Sequence, residues 1–333
     1  MKQSAYFSIA LFLFMVSCSD EVPIIFGGPQ KPVVYGLFNP KDTIILIRLT
    51  KTFVGLESAE VLAKDPNNLY YDNAEVRLDI NSEEGYPVTS YAFEKTILPD
   101  KPDGIFARSP NYAYVLKGPL DLFFIDGFQV RLLINLPDDS LLLSAQQTYY
   151  SPPEFTLPKP HSQTHFGLYQ AEAPKIKWVD KYGFQRYLLV IRLNYMNRYE
   201  DYNELTSFEV NYSHRSLVFS PEQNSATAMH IFEGNDFLRK ISYGITVDPK
   251  IVNRSFMSID LILIGLSKEY CDYKETSLIV SDRMGKPVSN IVGGLGLFAL
   301  QVYTEQTGHL LDPSSLDSLV NGQHTRKLKF VKY

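Results

Sequence analysis

The segment Ala74-Glu-Val-Arg-Leu-Asp-Ile80 alternates apolar and charged residues at every position. A period of two fits a strand with one buried face and does not fit a helix. Ala74, Val76, Leu78 and Ile80 are therefore expected to point inward, and Glu75, Arg77 and Asp79 outward. Runs of the same β-rich character recur along the chain. Val33 to Phe38 and Thr43 to Thr50 flank the turn Asn39-Pro-Lys-Asp42, and Leu141 to Ala145, Lys175 to Asp180 and Phe184 to Tyr195 follow. Ser207 to Tyr212, Ser216 to Phe219, Val252 to Ile264 and a closing Lys327 to Tyr333 continue the pattern. Asp126-Gly127 divides Asp121 to Leu136 into two apolar runs, which predicts a hairpin, because a type I′ turn needs positive φ at both central residues. Only two stretches read as helices. Asn235 and Asp236 can cap one through Phe237, Leu238 and Ile241, and Ser267 can cap another from Lys268 to about Leu278. Strands without interleaved long helices predict a mainly β protein of two β-sandwich-like domains with two short helices, and exclude a doubly wound sheet.

The division is expected where Ser151-Pro152-Pro153, Pro158 and Pro160 interrupt the strands, giving an N-terminal β-sandwich over 33–150 and a C-terminal β domain with the short helices over 151–333. The single Trp, Trp178, alternates with Ile176 toward the second core. A formal net charge of −5 disfavours nucleic acid as a partner, since Lys and Arg contacts to phosphate dominate that affinity.

The start of the chain follows different rules. Lys2 precedes the apolar run Tyr6 to Val16, about half of the ~20 residues that cross a bilayer, so this is a secretory signal and not a span. No later segment is long enough to span either. The run ends Met15-Val16-Ser17-Cys18, which resembles the bacterial lipobox, where a small residue precedes an obligatory cysteine. The thiol takes a diacylglyceryl group and the peptidase cuts just before it. Residues 1–17 are thus expected to be a lipoprotein signal peptide, and 18–32, with Gly27, Gly28, Pro29 and Pro32, a lipidated N-terminus and linker. Two or more acyl chains, at ~0.8 kcal/mol per buried CH₂, anchor stably where one is marginal. Ser19, Asp20 and Glu21 resemble the export signal that sends Bacteroidetes lipoproteins to the outer face of the outer membrane, although acid equally suits a solvated tether. The expectation is an outer-membrane protein, held to membrane lipid through Cys18 and exposed at the cell surface. Cys271, the other of two cysteines, then has no disulfide partner.

Several stretches together resemble an uncharacterised family of outer-membrane lipoproteins of Bacteroidetes, commonly encoded beside TonB-dependent receptors. They are PVVYGLFNPKDTIILIRLTKTF after the anchor, NAEVRLDI, IFEGNDFLRKI at 231–241, LIGLSKEYCDY at 263–273 and SNIVGGLGLFAL at 289–300. The resemblance implies a first domain similar to the transthyretin-like or carboxypeptidase-regulatory sandwich and a fibronectin-like second one. It brings no catalytic residues with it. The insert NYMNRYEDYNE at 194–204 departs from that pattern.

Candidate chemistry is sparse. His161 and His165 stand four apart, but Pro158 and Pro160 precede them and no Glu follows the first His, so an exposed loop is favoured over a metal site. Gly293-Gly-Leu-Gly296 lacks the third glycine and the helix of a dinucleotide loop, and suits positive φ or close backbone packing. Asp138-Asp139 and Glu83-Glu84 lie in predicted turns. No catalytic residue, metal ligand or cofactor is assigned. The strongest binding candidate is the tyrosine-rich insert, with Tyr195, Arg198, Tyr199 and Tyr202, whose flat faces and polar tips suit a glycan or peptide ligand, although an ordinary β-hairpin tip is favoured over a binding site there. The expected role is a noncatalytic accessory or binding subunit associated with a TonB-dependent receptor and nutrient uptake. A cell-surface glycan-active enzyme or an adhesin is the alternative.

Overall fold

The computed structural model describes residues 29–120, 122–159, 165–168, 175–223, 225–280 and 288–332, with backbone alone over 277–280. Cys18 and the expected signal peptide lie outside the described residues. The first half runs β1 (Pro32–Phe38), β2 (Ile44–Lys51), α1 (Ala59–Leu62), β3 (Glu75–Asn81), β4 (Pro87–Ala92), β5 (Glu94–Leu98), β6 (Asn111–Lys117), β7 (Gln129–Leu136) and β8 (Leu141–Thr148). The second runs β9 (Glu154–Leu157), β10 (Lys175–Lys181), β11 (Arg186–Arg198), β12 (Asn203–Arg215), β13 (Ser225–Ile231) and α2 (Gly234–Gly244), and then β14 (Asn253–Leu266), α3 (Lys268–Val280), β15 (Leu295–His309), α4 (Pro313–Asn321) and β16 (Phe330–Val331). The protein is mainly β, as the alternation predicts.

Among the described residues the strands form three sheets. The largest has the order β12-β11-β14-β15-β1-β2-β6-β5, with β16 beside β14, and the smaller ones are β4-β3-β7-β8 and β13-β10-β9. Period-two burial explains the layers. Val34 and Phe38 of β1 and Ile45, Ile47 and Leu49 of β2 share a core with Val76, Leu78 and Ile80 of β3 and with Val130, Leu132 and Ile134 of β7. Ile176 and Trp178 of β10 join Tyr187, Leu189 and Ile191 of β11 in the same continuous core. This is a sandwich-like arrangement of two small sheets on one large one.

Strands from 33–150 and from 151–333 meet in the large sheet where β1 runs parallel to β15, Val34 opposite Gly296 and Phe38 opposite Leu300. Gly296 makes that approach possible. Its φ is +111°, and a Cβ there would sit 1.9 Å from the Val34 carbonyl oxygen. The glycine run is thus backbone packing and not a phosphate loop. On the opposite face of the large sheet, α3 packs over β15 and its Tyr273 ring meets Tyr35 of β1 with centroids 6.2 Å apart.

Several local expectations are corrected. No strand precedes Asp126-Gly127 among residues 122–125, so the turn opens β7 alone, and Asp126 Oδ1 instead accepts a hydrogen bond from the Ser151 amide. Ser216 to Phe219 form no strand, because the buried Asp180 carboxylate takes the Leu217 amide and the Ser216 hydroxyl for itself. Helix α2 starts at Gly234 with Glu233 at its N-cap and no side-chain cap bond, which leaves Asp236 as a first-turn acid paired to Arg239 at 2.7 Å and Lys240 at 2.8 Å. Helices α1 and α4 were not expected. The second is capped by Asp312, whose carboxylate accepts from the amides of Ser314 and Ser315.

Candidate functional site

The tyrosine-rich insert proves to be mostly strand. β11 and β12 pair without interruption from Arg186↔Arg215 to Arg198↔Asn203, so the stretch forms the far end of a long hairpin. Tyr199 and Tyr202 lie together at its tip, stacked with centroids 4.3 Å and planes 13° apart, and Tyr199 donates to Glu204 Oε2 at 3.3 Å. Arg198 is exposed beside them. Tyr195 is not with them. It is buried, its ring against Phe330 at 5.6 Å. Close to the tip, beside Asn197, Arg254 of β14 is buried and donates to Asn197 Oδ1, Leu328 O and Thr246 O, tying three separate segments together. His161 lies outside the described residues and His165 is exposed, and no three His, Cys, Asp or Glu groups among the described residues gather as metal ligands. Asp138 is held by Asn73 at 3.2 Å, and Glu83 and Glu84 are exposed at a turn.

The better-formed site lies elsewhere, in a cleft of about 540 Å³ where the two small sheets approach each other over one end of the large one. Its first wall is the end of β7 and β8. Leu143, Ala145, Gln147 and Tyr149 all point to one side of β8, and at Gln147 that buried row turns polar. The register sets Gln129 opposite Thr148 and Arg131 opposite Gln146. Gln129 Oε1 accordingly accepts from Gln146 Nε2 at 2.9 Å and from Thr148 Oγ1 at 3.2 Å, while its own amide donates to Gly127 O at 2.9 Å.

The second wall is the β10–β11 turn. Gly183 has φ +106°, and a Cβ on it would meet Tyr150 Cδ2 at 2.2 Å, so the Tyr150 ring lies directly on the turn backbone. Tyr182 and Phe184 meet the same ring edge to face at 5.9 and 6.2 Å. Burial first, and then Tyr182 and the carboxylates of Asp126, Glu83 and Glu269, push the Tyr150 phenol above its usual range, so it stays a hydrogen-bond donor.

The third wall is Val218, Phe219 and the start of α3. Ser267 stands at the cap position, its carbonyl accepting from Cys271 N at 3.2 Å, yet its hydroxyl has no partner and is buried. Gln185 Oε1, in the second wall, is likewise buried without a partner. Each such oxygen costs about 1–3 kcal/mol when left unpaired. Lys268 pairs with Asp272 on its own helix, and among the described residues lining the cleft Glu269 is the one carboxylate, with no histidine or cysteine. The set supplies amide and hydroxyl groups beside aromatic faces. That is chemistry for holding a ligand.

A second feature hidden from the linear chain is a buried imidazole pair. His214 of β12 and His230 of β13 lie 5.1 Å apart between sheets, with Trp178 5.2 Å from His214, and both Nε2 atoms lack partners. Burial, then His214 and Lys240, hold His230 down at about 4, against a raising influence from Asp236, and burial also lowers His214. A histidine depressed in the folded state binds its proton only on unfolding, so its stabilisation is full above about pH 6.5 and is lost as pH falls toward 4. Urea midpoints should therefore drop steadily between pH 7 and 4.5, and His230→Phe should flatten that slope. An equal slope in the variant would contradict the assignment.

Cys271 on α3 is buried, and burial raises its thiol to about 11, which suits packing and not nucleophilic attack. A search of curated proteins returns no match. Residues 21–307 match a family described as Domain of unknown function (DUF4249), and the chain belongs to that family.

Proposed function

We infer that this protein is a lipid-anchored outer-membrane lipoprotein of Bacteroidetes type that serves as a noncatalytic binding or accessory subunit of a TonB-dependent receptor in nutrient uptake. The observation that carries the binding role is the cleft, whose lining combines glutamine amides, hydroxyls and aromatic rings with a single carboxylate among the described residues. Hydrolysis of a glycosidic bond uses two carboxyl groups about 5–9.5 Å apart, and acyl transfer uses a nucleophile with a base beside it. Holding a ligand uses what this cleft has. The anchoring role is supported by Cys18 at the end of a signal-length apolar run, and no helix among the described residues is long and apolar enough to cross a membrane.

The partnership is tested by isolating the tagged protein from outer membranes dissolved in mild detergent and identifying what accompanies it by mass spectrometry. A TonB-dependent receptor is expected in near-equal amount. Its absence from repeated isolations would remove the receptor from the account.

A further inference from the structure

We propose that the cleft between the end of β8, the β10–β11 turn and the start of α3 is a binding site for a neutral oligosaccharide, an inference that rests on the reading of this chain as a binding subunit.

Hydrogen bonding selects the ligand first. The amides of Gln129 and Gln146 are already joined to each other, which presents them as one fixed surface able both to donate and to accept. Vicinal sugar hydroxyls do the same in return. The unpartnered oxygens of Gln185 and Ser267 sharpen the choice. Both belong to side chains that line the cleft, though the atoms themselves are closed off from solvent; the Gln185 oxygen accepts only and the Ser267 hydroxyl accepts and donates, so a ligand or bridging water that reaches them has to offer both functions. Sugar hydroxyls offer both, whereas a fully ionised phosphate or a carboxylate offers acceptors only and leaves the Gln185 oxygen unpaired.

Charge points the same way. The start of α3 and Lys268 would favour an anion by themselves, but Lys268 is already paired with Asp272, and Glu269 stands beside it. The remaining lining is uncharged. Shape adds the third element. Phe219 is 77% exposed at the rim, an apolar platform open to solvent, and the half-buried Tyr182 lines the same cleft. Aromatic faces pack against the C–H faces of sugar rings while hydroxyls at the ring edge reach the amides. The cleft volume, about 540 Å³, lies within the ~300–1,000 Å³ of small-molecule sites, and the cleft opens to solvent, so one or two rings of a longer chain can sit in it.

The test uses the full lipidated protein in a detergent without a sugar headgroup, titrated with maltohexaose, cellohexaose, xylohexaose and mannohexaose, and with hexagalacturonate as the anionic comparison. Calorimetry and saturation-transfer NMR should show binding of at least one neutral hexasaccharide and none of hexagalacturonate. Gln146→Ala and Phe219→Ala should each weaken that binding roughly tenfold or more, and Tyr202→Ala at the hairpin tip should leave it unchanged. Gln146 and Phe219 are exposed, so both variants should keep the parent's melting temperature. No binding by any of the four neutral sugars, binding untouched by the two cleft variants, or preference for hexagalacturonate would each overturn the proposal. Receptor copurification is a separate readout. Its survival with sugar binding absent would reject the site alone, and its loss with sugar binding intact would reject the partnership alone.

Discussion

Trp178→Ala should destabilise the protein by about 3–5 kcal/mol, the range for deleting a large aromatic side chain from a core. Trp178 is fully buried on β10 between Ile176 and Asp180, and its ring meets Tyr187 of the large sheet at 5.8 Å and His214 at 5.2 Å. It therefore bridges the three-stranded sheet and the large one. The loss should spread to the cleft, because Tyr187 also donates to Asp180 Oδ1 at 2.8 Å, the carboxylate that holds Ser216 and Leu217 just before Phe219. Chemical unfolding followed by circular dichroism measures the cost. The parent protein's own fluorescence gives a second check, since a buried indole emits at short wavelength. A water-exposed emission maximum from the folded parent, or a cost below about 1 kcal/mol for the variant, would contradict this placement.

What could be read from the chain follows from how locally each signal is written. Strands with one wet face, such as Glu75–Asn81 and Lys175–Lys181, announce themselves by alternation, and both occur nearly where it puts them. β15 does not. Leu297 to Leu300 are buried without a break, since this central strand lies under α3 on one face and in the core on the other, so its period of two disappears behind Gly293 to Gly296. The insert at 194–204 reads as a hairpin tip, and cross-strand pairing carries both strands into it as far as Arg198 and Asn203 despite the weak β preferences of its Asn, Arg and Glu residues. Helix α4 carried a readable sign, Asp312 before Pro313, an N-cap followed by proline at the first helical position. The cleft had none. Gln129, Gln146, Gln185, Phe219 and Ser267 are scattered over the chain, and only the register of β7 with β8 and the packing of one small sheet beside the other bring them together. The same holds for His214 and His230, which belong to strands of different sheets.

The proposed place of this protein at the outer membrane depends on one thiol. Cys18→Ala should leave a soluble or uncleaved precursor without lipid, because the acyl chains proposed for that sulfur would supply nearly all of the membrane affinity and no other apolar segment of the chain is long enough to replace them. Cys271→Ala should leave anchoring intact, since that thiol is buried in α3 against the fold. The direct measurement is to feed growing cells a clickable fatty acid and recover the parent and both single variants. The parent and Cys271→Ala proteins should carry label and sediment with membranes, and Cys18→Ala should carry none. Label on the Cys18→Ala protein, or none on the parent, would contradict the anchor and the outer-membrane role built on it.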